Sequence, residues 1–497
     1  MNKTTHQYGS FLQPFMIVTA LMLAMLFEDG QHLLWQWSSL SLLWLMAFWG
    51  LRQSKRVYLG LRQDKAFLSY LLFVAWAVFS SIFLSSAKSI SILVLAPFVG
   101  GLLSYLIAYA GNDQKERYFD QLLLVIGLLL VVYTCYQKFF LGMVRPIGLL
   151  RNWNTHAALL SMIVLPWILS YALKPVVPVW KVAGVSIIAL LFAFAMGLTL
   201  SRGALLVVIV SVFGLFVFAW RQRLFFRQSI VFIAALILGY LLNGFFVGET
   251  MVQRLGVISG ADSLSAIGSG RHLLWLPAWE MYLDRPFLGW GLGTFRFLYL
   301  QYKSPLSSEL GHYVHNDYLQ FLVELGPIGF LLFVVFGYFL IKRLLALLFP
   351  KAVNVSMDTI QGFVFLVMSV GMLTHTFVSF NLCQLTMQII FGYYLGRSAR
   401  HLQLQPVEEP ASQEDVNAMP QKWGLIYYSA VSFISVSMLC LGASFYYLTE
   451  AGQTQNKQEA LDYYWQAGLF FPALERYDSL SALSLSKQLN SGELDVG

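Results

Sequence analysis

The chain has 497 residues, 58% of them hydrophobic and only 11% charged, with a mean hydropathy of +0.65. Soluble domains carry about 25% charged residues, so a water-soluble fold is excluded and a bilayer is the solvent this composition suits. The net charge of +7 sits largely in short loops between apolar runs, where membrane orientation requires it, so no nucleic-acid partner is expected.

A helical span needs roughly 20 apolar residues. Runs near 11–27, 39–51, 66–85, 90–110, 120–141, 155–173, 182–200, 204–220, 228–247, 317–341, 359–380, 382–396 and 423–448 fit or approach that length. The expected fold is all-α: a polytopic transmembrane helical bundle of about 12 to 13 spans. Only Lys3 precedes the first run and no small-residue cleavage site follows it, so it reads as a span and not as a cleaved signal. Asn381 predicts a turn inside 359–396.

Orientation follows from Lys and Arg in the short loops. Arg52, Lys55, Arg56, Arg62 and Lys65, then Lys115 and Arg117, then Lys174 and Lys181, then Arg221, Arg223 and Arg227, then Lys342, Arg343 and Lys351 all fall on one side. That side is expected to face the cytoplasm of a bacterial inner membrane. The 248–316 segment then faces the periplasm. The expected organisation is a transmembrane unit over 1–400, a cytoplasmic linker over 401–422, an additional span over 423–448 and a small periplasmic helical tail over 449–497. Cys135, Cys383 and Cys440 lie in or beside apolar runs and form no disulfide or metal pattern.

The informative arginines break this rule. Arg145 and Arg151 lie in an outer loop, Arg202 follows a span with almost no loop to spare, and Arg271 lies in GSGRHLLW. Charge at a membrane-embedded position is expensive and marks function. Arg offers planar, bidentate donors that match phosphate, and several converging on one outer face suggest a lipid-borne phosphate.

The densest polar motif is GHYVHNDYLQFLVELGPIGF, 311–330. His312 and His315 precede an apolar helix that Asn316 or Asp317 can cap. Asn316, Gln320 and Glu324 repeat every four residues and share one helical face. Histidine is the natural general base near neutral pH. His315 taking a hydroxyl proton, with Arg202 and Arg271 stabilising a leaving diphosphate, satisfies both demands of glycosyl transfer.

Four segments in order carry a resemblance: SRG at 201–203, R-H-x-x-W at 271–275, GWGLGTF at 289–295 and HYVHNDYLQFLVELGPIG at 312–329. RNWNTHAALLSMIVLP at 151–166 and HTFVSFNL at 375–382 extend it. The set, over about 150–400, resembles the O-antigen ligase and polymerase superfamily. The resemblance implies a metal-free, cofactor-free inverting glycosyltransferase of GT-C-type architecture that takes an undecaprenyl-diphosphate-linked glycan as donor. It implies catalytic roles for His315, Arg202 and Arg271, and substrate-binding roles for Arg151, Asn154, His312, Asn316 and Glu324. The acceptor is lipid A–core, a growing glycan or a protein, since the motifs do not separate ligases from polymerases and protein O-oligosaccharyltransferases. Metal-dependent enzymes of that architecture use an acidic pair in the first outer loop, where this chain has Glu28 and Asp29, but no D-x-D motif occurs. A polysaccharide transporter or lipid flippase is the competing class; it predicts internal repeats and midplane ionisable groups, whereas here the polar groups gather at one face.

Overall fold

The computed structural model describes residues 16–25, 33–52, 60–111, 113–224, 227–245, 271–303, 311–349, 355–402 and, with gaps, 434–467. Among these the chain is helical and contains no strand, as the composition requires of a membrane-spanning fold. Among the described residues, nine helices are long and apolar enough to cross a bilayer. The remaining runs are also helical where described: Leu33–Arg52, the 17-residue Leu385–His401 and the short Met16–Met25 and Ile434–Ser444. Glu28, Asp29, the tail beyond 467, most of the 401–422 linker and residues 246–270 and 304–310 lie outside the described residues.

In chain order the helices used below are α1 (Leu33–Arg52), α2 (Lys65–Phe79), α3 (Lys88–Leu93), α4 (Ala96–Tyr109), α5 (Asp113–Phe139), α6 (Trp153–Ala172), α7 (Val179–Leu198), α8 (Arg202–Arg221), α9 (Arg227–Leu242), α10 (His272–Asp284), α11 (Phe295–Tyr302), α12 (Asp317–Leu348), α13 (Met357–His375) and α14 (Leu385–His401). Helices α6, α13 and α14 form the centre. They bury most of their surface, while α5 and α9 turn apolar stripes outward. On α5 that stripe is Leu122, Val125, Leu129 and Val132, all exposed at helical spacing. A row of exposed aliphatic side chains is stable only against lipid.

Between α4 and α14 the backbones nearly touch. A Cβ placed on Gly392 would lie 1.9 Å from the Gly101 carbonyl oxygen, and one on Gly396 would lie 2.2 Å from that of Tyr105. Lipid tails are as apolar as leucine, so such helices associate through close small-residue packing and not through hydrophobic exclusion.

The two ends of the bundle differ in chemistry. At one end Gln222 Nε2 donates to the Leu347 carbonyl, and Ser229 Oγ to that of Ala172. Those bonds gather the Arg221–Arg227 turn, the loop carrying Lys174 and Lys181, and the Lys342–Arg343 end of α12. This is the grouping that the short-loop charges predict. Asp64 caps α2 at the same end and receives Arg343 at 2.7 Å. The opposite end collects the starts of α6, α8 and α12 and the end of α13, and holds the candidate site.

Candidate active site

The His315 turn is built by its neighbours. Asn316 adopts an extended conformation and its side-chain oxygen accepts the Tyr318 and Leu319 amides, capping α12. One residue earlier, His315 has φ +58°, a left-handed conformation that costs a non-glycine residue about 1–2 kcal/mol. The turn is held from both sides. The Val314 amide donates to Gln320 Oε1, and the Val314 carbonyl accepts from Trp275 Nε1 at 3.1 Å. Tyr313 stacks on Phe380 at 4.2 Å between centroids, and the His315 ring meets the same Phe380 edge-on at 4.8 Å. The fully buried Asp317 carboxylate accepts the Leu382 amide at 3.0 Å. The start of α12 is thereby bonded to the turn between α13 and α14, which consists of 3-10 turns over Thr376–Val378 and Asn381–Cys383.

Arg202 is the first residue of α8. The chain reverses from α7 into α8 through Leu200, at φ +55°. Ser201 caps α8 by accepting the Ala204 amide, and its hydroxyl donates to Asn154 Oδ1 at 2.9 Å. Asn154, buried in the first turn of α6, therefore fixes the turn that presents Arg202. Directly beyond it, a Cβ on Gly203 would sit 2.1 Å from Nε2 and Cδ2 of His375. The His375 imidazole, fully buried, lies between Gly203 and the Asn381 amide, whose Nδ2 is 2.9 Å from His375 Nδ1. Since an amide nitrogen can only donate, Nδ1 accepts and the ring proton belongs to Nε2.

Arg271 immediately precedes α10 and is half-buried. It is close enough to interact electrostatically with Arg202, His315 and His375. Burial, then the charge of Arg202, holds its pKa below the usual guanidinium value. Burial and then the Arg271 charge push the His315 imidazole down to about 4. His315 is therefore neutral at physiological pH, and its Nδ1 is buried without a hydrogen-bond partner among the described residues. Arg271 thus lies within electrostatic reach of a second guanidinium and of a neutral imidazole, an arrangement with the chemistry to hold an anion beside a proton acceptor.

The other expected site residues fall differently. Arg151 is exposed at φ +48°, at the mouth of the loop before α6. His312 is exposed, immediately outside the ring-stacked turn. The Asn316 oxygen is committed to its cap. Glu324, 1% exposed, accepts the Phe295 amide at 3.1 Å and is bonded by the Gly293 amide and by Gln320. Its Oε1 thus holds the GWGLGTF loop, while its buried Oε2 has no hydrogen-bond partner among the described residues. That loop clips onto a break in α12. Gly326 has φ +69°, and the freed carbonyls of Val323 and Glu324 accept the Trp290 and Gly291 amides. Gly289, Gly291 and Gly293 all have positive φ, so the glycine run serves a tight backbone path. His375, Phe380 and Asn381 are the residues that the sequence does not single out for a role in the site. The only signal for them is that HTFVSFNL sits late in the chain with one intramembrane histidine. No group of three or more His, Cys, Asp or Glu side chains arranged to hold a metal occurs among the described residues.

Residues 187–334 match the O-antigen ligase family. The matched segment contains Arg202, Arg271, His315 and Glu324, while Arg151, Asn154 and His375 lie outside it. No curated protein matches the chain.

Proposed function

Because the chain carries the membrane glycosyltransferase segment of the O-antigen ligase family, we propose that it transfers a glycan from undecaprenyl diphosphate to an acceptor at the periplasmic face of the inner membrane, with a lipopolysaccharide precursor as the first acceptor to test. The observation that carries this reading is the meeting of Arg271 with Arg202 and His315 at one end of the bundle. The donor diphosphate lies against the two guanidinium groups. The acceptor hydroxyl attacks the anomeric carbon from the face opposite the diphosphate. The new carbon–oxygen bond forms as the bond to the diphosphate oxygen breaks with its electron pair, and His315 takes the hydroxyl proton. A single displacement inverts the anomeric centre. The two arginines act by fixed positive charge where negative charge grows on the leaving oxygen. Bound diphosphate also offsets the Arg271 charge and so raises the basicity of His315 at the moment a base is needed.

The test is transfer by purified protein. Undecaprenyl-diphosphate glycan is offered with lipid A–core, a second lipid-linked glycan, or a pilin-like protein, with and without EDTA. Product on one acceptor, unaffected by EDTA and lost in His315→Ala, supports the reading and names the branch. Donor carried unchanged across a vesicle membrane, with no product on any acceptor, sinks it in favour of a flippase.

A further inference from the structure

At the end of the bundle away from the Arg–His space, α5, α6, α13 and α14 enclose a cavity of about 500 Å³. Its walls are amphipathic. Trp167, Pro166, Ile163 and Phe365 supply the apolar side, while Arg117, Lys174 and Arg397 supply positive charge. Arg397, 3% exposed, stacks over Phe365 at 4.1 Å and pairs with Asp120. The other carboxylate in the wall, Asp358, faces His401 at 3.1 Å. Both acids thus already face a basic side chain. Lys174 is half-buried with its ammonium 3.7 Å over the Tyr171 ring, and its burial, then the like charges of Lys181 and Arg117, lower its pKa.

The chain leaving this cavity, through the loop into the start of α7, carries Val176, Val179 and Trp180 at 84%, 85% and 72% exposure. Among the described residues they stand exposed, and Lys181 lies over the Trp180 ring at 5.1 Å. Apolar tips flanked by Trp and Lys are the chemistry of a membrane interface. Those tips place the mouth of the cavity at headgroup depth.

We propose that this cavity binds the phosphate of an anionic phospholipid, with the headgroup between Arg117 and Lys174 and the start of the acyl chains against the apolar wall of Ile163, Pro166, Trp167 and Phe365. Free phosphate answers the charge but leaves the apolar wall unused, so the amphiphile fits better. The inference is independent of the glycosyl-transfer reading, since none of its residues lies in the Arg–His space.

The experiment uses the full-length protein, delipidated in detergent and re-exposed to defined lipids. Native mass spectrometry measures retained phosphatidylglycerol against phosphatidylethanolamine, with glycerol 3-phosphate and inorganic phosphate as soluble competitors. Preferential phosphatidylglycerol binding is expected, weakened about 30-fold in the Arg117→Gln/Lys174→Gln double variant, since each basic side chain near an anionic headgroup contributes about five- to sixfold. Photo-crosslinking phosphatidylglycerol to the wild-type protein tests the location without any variant and is expected to label peptides within 115–121 and 167–181. Equal binding of the two lipids, labelling confined to other segments, or displacement of the lipid by inorganic phosphate at concentrations comparable to the lipid's own affinity would each overturn the proposal.

Discussion

Gly203 and His375 are in van der Waals contact across α8 and α13, so close that a β-carbon on the glycine would overlap the imidazole at 2.1 Å. The residue after Arg202 therefore sets where the His375 ring sits. Gly203→Ala should leave α8 intact, because alanine is the better helix former, but must displace the ring. We expect protein of normal abundance whose transfer rate falls at least about tenfold, consistent with the steep cost of misplacing reacting groups by an ångström. His375→Ala in the same background opens the space again. The pair should thus be non-additive in a double-mutant cycle of transfer rates, and simple additivity would remove the contact from the account.

Arg202 and Arg271 are half-buried like charges within electrostatic reach of each other, a repulsion that a bound anion would relieve. Arg202→Ala and Arg271→Ala are each expected to slow transfer about 100- to 1,000-fold. Lysine should restore only part of that, since it keeps charge but loses the bidentate fork. Without donor, Arg271→Ala should melt no lower than the wild type. Donor lipid should raise the melting temperature of the wild type but not of the variant. A variant that melts lower and still transfers normally would make Arg271 a structural residue.

The end-to-end polarity of the bundle is legible in the sequence because topology is written in local charge: the Lys174, Arg221 and Arg343 segments meet at one end. Arg202 and His315 stand out for a similar reason, being polar groups that a bilayer does not tolerate without use. The face shared by Asn316, Gln320 and Glu324 is also visible from spacing alone. Its destination is not, because the Glu324 carboxylate is claimed by backbone amides of a loop some thirty residues earlier. His375 escapes for the same reason. Its partner Gly203 lies on another helix, and glycine carries no chemical label that spacing can read. The positive φ of His315 is likewise set by Asn316 capping and Phe380 stacking, which no local pattern announces.

That backbone conformation makes a separable prediction for His315. At φ +58° a histidine is strained and a glycine is not. His315→Gly should therefore hold its melting temperature within a few degrees of the wild type, the relieved backbone offsetting the lost contact with Phe380, while transfer falls to background. His315→Asn, which tolerates the left-handed region, should be equally inactive and folded. Stability and activity would fall together in both variants if the ring served packing alone, and residual activity above a tenth of wild type would exclude it as the base.

The pH dependence tests the same imidazole from the electrostatic side. Burial and Arg271 lower its pKa to about 4, so the neutral, proton-accepting form persists as pH falls and is lost only on passing through that value. The profile of kcat/KM, which reports the free enzyme, should show no histidine limb near the ordinary 6.5 and should stay level until well below pH 6. In the donor complex, diphosphate charge opposes Arg271 and raises the histidine pKa, so the acid limb of kcat should lie at higher pH than that of kcat/KM. Arg271→Ala removes one of the two depressing causes and should move the kcat/KM limb upward even as the rate drops. The donor diphosphate titrates identically with either protein, so the displacement between variant and wild type isolates the imidazole. Coincident limbs in the two proteins would mean that Arg271 does not act on His315 and that the base lies elsewhere.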